Sequence, residues 1–253
     1  MDRVLPFGRR FWLLALILAG WQILAATRLL DPLFFPSPAS VAGTLIATLR
    51  SGEMERAIAA TLARAGTALF IGILCGGVAS VLLCLFKGLR IAAQPLISAL
   101  YSTPRLTMLP MVMLIFGVND VARLTLVSLS VALVIVIQIS DAIRAVNQDY
   151  LDLASNYGAT GAVLVRRVYL PACLPQIFTS LRLCTGRALV TTISVEMLSS
   201  KDGIGSMIWS AWDTFATEKL YASVVVAATL GLLSGPFFRA LERHFVPWRS
   251  DAR

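Results

Sequence analysis

Charge is what this sequence most lacks. Only 14% of its 253 residues are Asp, Glu, Lys or Arg, where a water-soluble domain carries nearer a quarter. That shortage excludes an ordinary soluble fold. Histidine is down to one residue, His244 in a basic tail, which leaves no His-based metal set and no His-driven acid–base pair. Cysteine is down to four: Cys75, Cys84, Cys173 and Cys184. They are scattered through or beside apolar runs without metal-ligand spacing. This excludes a zinc site or a disulfide framework and leaves all four as small buried hydrophobes. There is no GxxxxGK[ST] loop, so the chain is not itself a P-loop ATPase. The turn Lys201-Asp202-Gly203-Ile204-Gly205 is glycine-rich but too short and wrongly placed to cradle a phosphate. No nucleophile, base and orienter stand together, so catalysis within the chain is not expected. The formal charge of +8 lacks basic patches interleaved with aromatics on a soluble domain, which excludes nucleic acid as a partner.

Apolar residues are what the chain has in excess. They make up 57% of it, and the mean hydropathy is +0.78. The expectation is an all-α integral membrane protein, because a helix satisfies its own backbone groups in lipid. Hydropathy places six spans in one domain over residues 1–253, at about 11–26, 65–86, 94–117, 124–143, 176–199 and 220–238. The first is taken as a span, since no small-residue cleavage site follows it. Twelve of the 22 Lys and Arg residues then fall on one side, at both ends and in the even-numbered turns. This bias puts both termini in the cytoplasm of a multi-pass protein.

Between the first two spans, residues 31–64 read as an amphipathic outer segment. Ser40 is expected to cap a helix that Ser51 and Gly52 break. Gly72 and Gly76 have GxxxG spacing, read first as packing within the subunit. The third span is interrupted by Pro95, Pro104 and Pro110. Arg105 beside Pro104 is either a pathway residue that meets the solute or a boundary arginine reaching the interface. In the fifth span, Arg187, Thr191 and Ser194 share a face. That stripe either lines a passage or makes interhelix hydrogen bonds. Glu196 lies on another face near the outer end, where a structural ion pair is expected. Trp209 and Trp212 are read as interface aromatics in an outer segment from Ser206 to Lys219.

One stretch between spans is too polar for lipid. It runs over residues 149–175 as DYLDLASNYGATGAVLVRRVYLPACLP. Asp149 is expected as an N-cap, with Asp152 three residues on. Gly158 sits where a C′ glycine ends the helix. Thr160 is expected to cap a second short helix, with Arg166 and Arg167 in its last turn and Pro171 as its stop. Asp152, Leu153 and Ala154, then Gly158, then Val168, Leu170 and Pro171 carry a family resemblance. Their spacing resembles the EAA…G…I-LP loop of permease subunits of binding-protein-dependent ABC importers. Asp stands for Glu, Leu for Ala and Val for Ile. FPSP with TLAR at 61–64, STPRLTMLPMVMLIFGV and EMLSSKDGIGSMIW are similar to stretches of the nitrate, sulfonate and taurine group.

The resemblance runs from about Leu29 to Trp248. It implies a type I ABC importer permease fold with six transmembrane helices and a cytoplasmic coupling helix at residues 149–171. The coupling residues it implies are Asp152, Leu153, Ala154, Tyr157, Gly158, Ala159 and Thr160. It also implies partners: two ATPase subunits that hold ATP and Mg, a second permease copy as a homodimer, a periplasmic or extracellular solute-binding protein, and membrane lipid. The expected setting is the bacterial inner membrane. The solute would be a small anion such as a sulfonate, taurine or nitrate, or alternatively a thiamine-precursor-like heterocycle. An ion-coupled carrier is a different reading, but inverted repeats and mid-membrane carboxylates are not evident. A membrane scaffold or sensor without transport is a third.

Overall fold

The computed structural model describes residues 7–27 and 29–245, with side chains from Trp12 to Pro236 apart from positions 28 and 162. Arg3, Arg249, Arg253 and the placement of the two ends lie outside those residues. Every regular element among them is helical. In order, they are α1 (Phe7–Ala26), α2 (Pro38–Arg50), α3 (Glu53–Leu85), α4 (Lys87–Ser102), a 3-10 turn (Arg105–Met108) and α5 (Leu109–Phe116). Then come α6 (Asp120–Arg144), α7 (Gln148–Asn156), α8 (Gly161–Leu164), a π turn (Val165–Tyr169), α9 (Leu170–Ser199), α10 (Ile204–Asp213) and α11 (Thr217–Phe245).

Three of these are long and apolar enough to cross a membrane: α3, α6 and α11 up to Pro236. The α4–α5 pair makes a fourth if the bent pair counts as one crossing. The described apolar part of α1, Trp12–Ala26, is shorter. α9 has the length, at 30 residues, but carries Arg182, Arg187 and Glu196.

The sequence places several boundaries differently. Ser37, not Ser40, caps α2: its Oγ accepts the Ser40 N–H at 3.1 Å. Pro38 occupies the first turn, where its missing N–H costs nothing. α3 begins twelve residues before the expected span, at Glu53, directly after Gly52 in the left-handed region. Arg56 and Arg64 lower the hydropathy there without breaking a helix. The expected third span is not straight. Its two halves meet at 99°. Thr103 is extended ahead of Pro104, as the residue before a proline must be. Pro110 sits harmlessly in the first turn of α5.

The core is a three-helix centre of α3, α6 and α9. Ala68, Val127, Val131, Ile135, Cys184 and Ala188 bury their side chains together there. α3 and α6 pack closest, because Gly72 and Gly76 have no side chain in the way. A Cβ on Gly76 would lie 2.8 Å from the Ala132 carbonyl and 2.9 Å from Ile135 Cβ. The GxxxG pair therefore serves packing within the subunit. A second cluster, Met54, Ile204, Met207 and Ile208, fixes α10 across α3. Cys173 and Cys184 are buried as expected, but Cys75 is exposed on the outer side of α3, and all four thiols are free.

Substituting Gly76 with Ala should cost about 1–3 kcal/mol through overpacking. It would appear as a lower melting temperature in detergent, whereas Gly77→Ala, whose Cβ meets open space, should change nothing. Equal melting of the two variants would contradict the close α3–α6 approach.

Candidate functional site

Three groups of polar residues stand out among the described residues. The first is the segment that leaves the bundle between α6 and α9. Asn147, two residues before the expected Asp149, caps α7, and its side chain accepts the Asp149 N–H at 3.0 Å. Asn at this position satisfies an orphan donor as well as Asp does. Asp152 instead accepts from Gln148 Nε2 at 3.1 Å, one turn back. The helix ends as the glycine demands. Gly158 lies at φ +72, where an L side chain is strained. Its N–H reaches the Ser155 carbonyl at 2.9 Å, and the Ala159 N–H reaches that of Ala154 at 2.9 Å. These two bonds are the Schellman closure.

Thr160 does not cap the next helix through its hydroxyl. Its carbonyl accepts from Val163 at 3.2 Å, and Gly161 turns the chain at φ +53. Nor does Pro171 stop a helix. The Leu170 N–H bonds back five residues to Val165, forming the π turn, and Pro171 falls in the first turn of α9, where no donor is needed. The two expected short helices are thus one stub, α7, and a wide-wound lead into α9.

α7 buries no residue of its own. Tyr150, Leu153 and Tyr157 follow one another at helical spacing and are all exposed, Tyr157 at 85%. Asp152, Gly158 and Thr160 are exposed beside them, with Ala154 and Ala159 half-buried. Three large side chains are thus left uncovered on an otherwise polar projection.

The second place joins α4 to α9. The Arg105 guanidinium lies 5.4 Å over the Tyr101 ring. The Tyr101 hydroxyl accepts from Arg187 Nη1 at 3.4 Å. Sequence reasoning singled out the two arginines separately, and the fold brings them to one tyrosine. Arg105 Nε and Nη2 are shielded from solvent yet have no hydrogen-bond partner. Arg187 is exposed in the middle of α9. Thr191 is half-buried one turn on, and Ser194 spends its hydroxyl on the Val190 carbonyl at 2.9 Å. The two guanidinium groups thus stand at one tyrosine, Arg105 with shielded donors and Arg187 exposed.

The third place is an ionic knot at the other end of α9. Glu196 is only 1% exposed. Arg64 Nη1 donates to its Oε1 at 2.8 Å, and Thr61 Oγ1 and the Gly205 N–H donate to Oε2 at 2.8 and 3.1 Å. Arg64 also binds Asp120 at 2.8 Å and Asp202. Arg123 adds Asp120 at 2.6 Å and the Ser199 carbonyl. Gly203 and Gly205 are required here because any Cβ would strike the Glu196 side chain. The expected structural pairing of Glu196 is what the fold shows. Its partners, Thr61 and Arg64, lie in the TLAR stretch, 132 residues from Glu196 in the case of Arg64. The signal that would have found them is an arginine at the apolar edge with no carboxylate nearby in sequence. The hydrogen bond from Arg64 holds the Asp202 carboxyl below its ordinary range. Its share of stability is therefore present above that range and lost as the pH falls through the lowered value.

Removing one partner of this buried pair, as in Arg64→Met, should cost about 3–5 kcal/mol, because Glu196 is left uncompensated. The double variant Arg64→Met/Glu196→Met should recover most of the loss. Thermal melting of the four proteins measures the coupling, and additive losses would show that the pair is not one unit.

Comparison with known proteins places the chain. Residues 68–251 match the family described as binding-protein-dependent transport system inner membrane component. The chain is 28% identical over 245 residues to the taurine transport system permease protein TauC of Escherichia coli, covering 95% of this chain and 89% of the relative. It is 28% identical over 232 residues to the bicarbonate transport system permease protein CmpB of Synechococcus elongatus, covering 88% and 84%. Its fold matches a chain of a bacterial alginate ABC transporter crystallised with a substrate-bound periplasmic protein. That match has a TM-score of 0.67 at 18% identity and covers 96% of this chain and 98% of the other. The chain thus belongs to the family of binding-protein-dependent transport system inner membrane components, the permease subunits of ABC importers.

Proposed function

We propose that this chain forms the transmembrane path of an ATP-driven importer for a small anion and that α7 couples it to an ATPase subunit. The uncovered face of Tyr150, Leu153 and Tyr157 carries the coupling reading. A short helix closed by a Schellman turn is stiff enough to transmit a push. The π turn behind it, Val165–Tyr169, passes that push directly into α9, which carries Arg187. Asp152, Leu153, Ala154, Tyr157, Gly158, Ala159 and Thr160 form the docking surface. ATP and Mg belong to the docked ATPase, and its closure drives the helices between inward- and outward-facing states. In this reading α7 faces the cytoplasm, both termini lie on its side, and two permease copies meet two ATPases. A solute-binding protein delivers the solute from outside, as the periplasmic protein in the alginate complex suggests.

The anion reading rests on Arg105 and Arg187 around Tyr101. The named solutes of the two relatives, taurine and bicarbonate, agree with it, because each carries a negative group. A neutral heterocycle would leave the shielded Arg105 donors without a partner.

Reconstitution in vesicles with the ATPase and the binding protein tests both halves. Gly158→Trp should still insert, since its Cβ meets open space and the strain at φ +72 is confined to the end of α7, yet lose substrate-stimulated ATP hydrolysis. Tyr157→Ala, which leaves the backbone alone, should weaken stimulation in the same direction. Normal stimulation in both would reject the docking role.

Arg187→Gln and Arg105→Gln should each raise the KM for anion uptake about tenfold or more, the worth of one charged hydrogen bond. An unchanged KM in both variants would remove these residues from the path.

A further inference from the structure

A cavity of about 280 Å³ opens between α3, α6 and α9 at the end from which α7 projects. Gly77, Ser80 and Cys84 form its α3 wall, Ile139 belongs to α6, and Tyr169 and Cys173 close it from the π turn and α9. The lining is apolar, and Ser80 spends its hydroxyl on the Gly76 carbonyl at 2.6 Å. Along the same stretch of α3, Leu74, Val78, Val81, Leu82 and Leu85 are exposed, as side chains facing lipid would be.

The surroundings of this cavity are cationic. Arg90 lies within electrostatic reach of both the Cys84 thiol and the Tyr169 hydroxyl. Lys87 stands one turn before it, and Arg166 and Arg167 are exposed on the π turn that supplies Val165 and Tyr169 to the lining. Among the described residues none of these four cations makes a side-chain hydrogen bond or an ion pair. Asp141 shares a neighbouring crevice with Arg90 and Arg144, so positive charge remains in excess there.

We infer that this is a site for an anionic phospholipid, with an acyl chain in the cavity and the headgroup phosphate against Arg90 and the π-turn arginines. Charge complementarity and continuity with the lipid-facing side of α3 select this occupant over a soluble anion, which would leave the apolar lining unfilled. Basic pockets between helices at a membrane boundary take such headgroups. The site also has a mechanical position. The lipid would wedge against the π turn, the one wide-wound segment between α7 and the bundle. The inference needs only that the chain lies in a membrane and does not depend on which solute is carried.

Native mass spectrometry of the assembled transporter tests it, after equilibration in vesicles of equal phosphatidylglycerol and phosphatidylcholine. The wild type should retain phosphatidylglycerol preferentially. Arg90→Gln should lower that preference about fivefold, and the triple variant with Arg166→Gln and Arg167→Gln should abolish it, at about fivefold per cation. Gly77→Phe, which fills the cavity, should remove the tightly held lipid altogether. Lys201→Gln, a cation at the other end of α9, should leave retention unchanged. Added glycerol phosphate, a headgroup without chains, should not displace the lipid. The inference falls if wild type shows no preference, if the arginine variants keep it, or if glycerol phosphate displaces the lipid. Loss of every lipid adduct once the ATPase is assembled would instead assign these cations to the protein interface and would also overturn it.

Discussion

A carboxylate buried among membrane helices has to be neutralised where it sits. Glu196 imposes that constraint on this protein. Leaving a buried carboxylate unpaired is costly, and the structure brings three donors to it. Arg64 comes from α3, Thr61 from one turn before it, and the Gly205 N–H from the start of α10. Each donor fixes an element. α3 must run alongside α9 at that height, the loop after α9 must fold back, and two glycines must stand where a side chain would displace the carboxylate. Asp120, Asp202 and Arg123 extend the knot to the start of α6. The ends of the three central helices remote from α7 are therefore tied together by charge. Their middles are held by close glycine packing.

Against that satisfied end, the rest of the molecule is notable for what it leaves open. Among the described residues Arg105 keeps two shielded donors without partners, and Arg187 reaches a tyrosine hydroxyl alone. Two tyrosines and a leucine on α7 and its cap are left exposed among the described residues. Arg90 lies within electrostatic reach of an apolar cavity beside the π turn, and Lys87, Arg166 and Arg167 are carried on the segments that adjoin it. Polar and apolar groups in these states persist when something outside the chain completes them. The proposed solute, ATPase and lipid would each complete a different part of the fold. The π turn lies between two of them. The turn closes through the Leu170 N–H on the Val165 carbonyl, and α9 begins at that same residue.

Parts of this were readable in the chain. Low charge and long apolar runs called for membrane helices. Gly158 announced a helix end, because only glycine sits readily at that φ. The glycine pair at 72 and 76 announced close packing, and Glu196 announced an ion pair. Hydropathy misplaced boundaries wherever a charge sat inside a continuous helix, as at Arg56 and Arg64, or a proline sat where helices tolerate it, as at Pro171. Asn147 took the cap from Asp149 because both residues cap well, and the helix had two places to start.

The residue order by itself determined the class of protein and the position of its projecting stub, because periodicity, glycine and hydropathy act over a few residues. Only the tertiary structure decided which charges meet. Arg64 and Glu196 are 132 positions apart, and Arg187 and Tyr101 are 86 apart. No local rule links residues at such distances. They are joined by the crossing of whole helices, and that crossing is set by glycines and small side chains packed along their length.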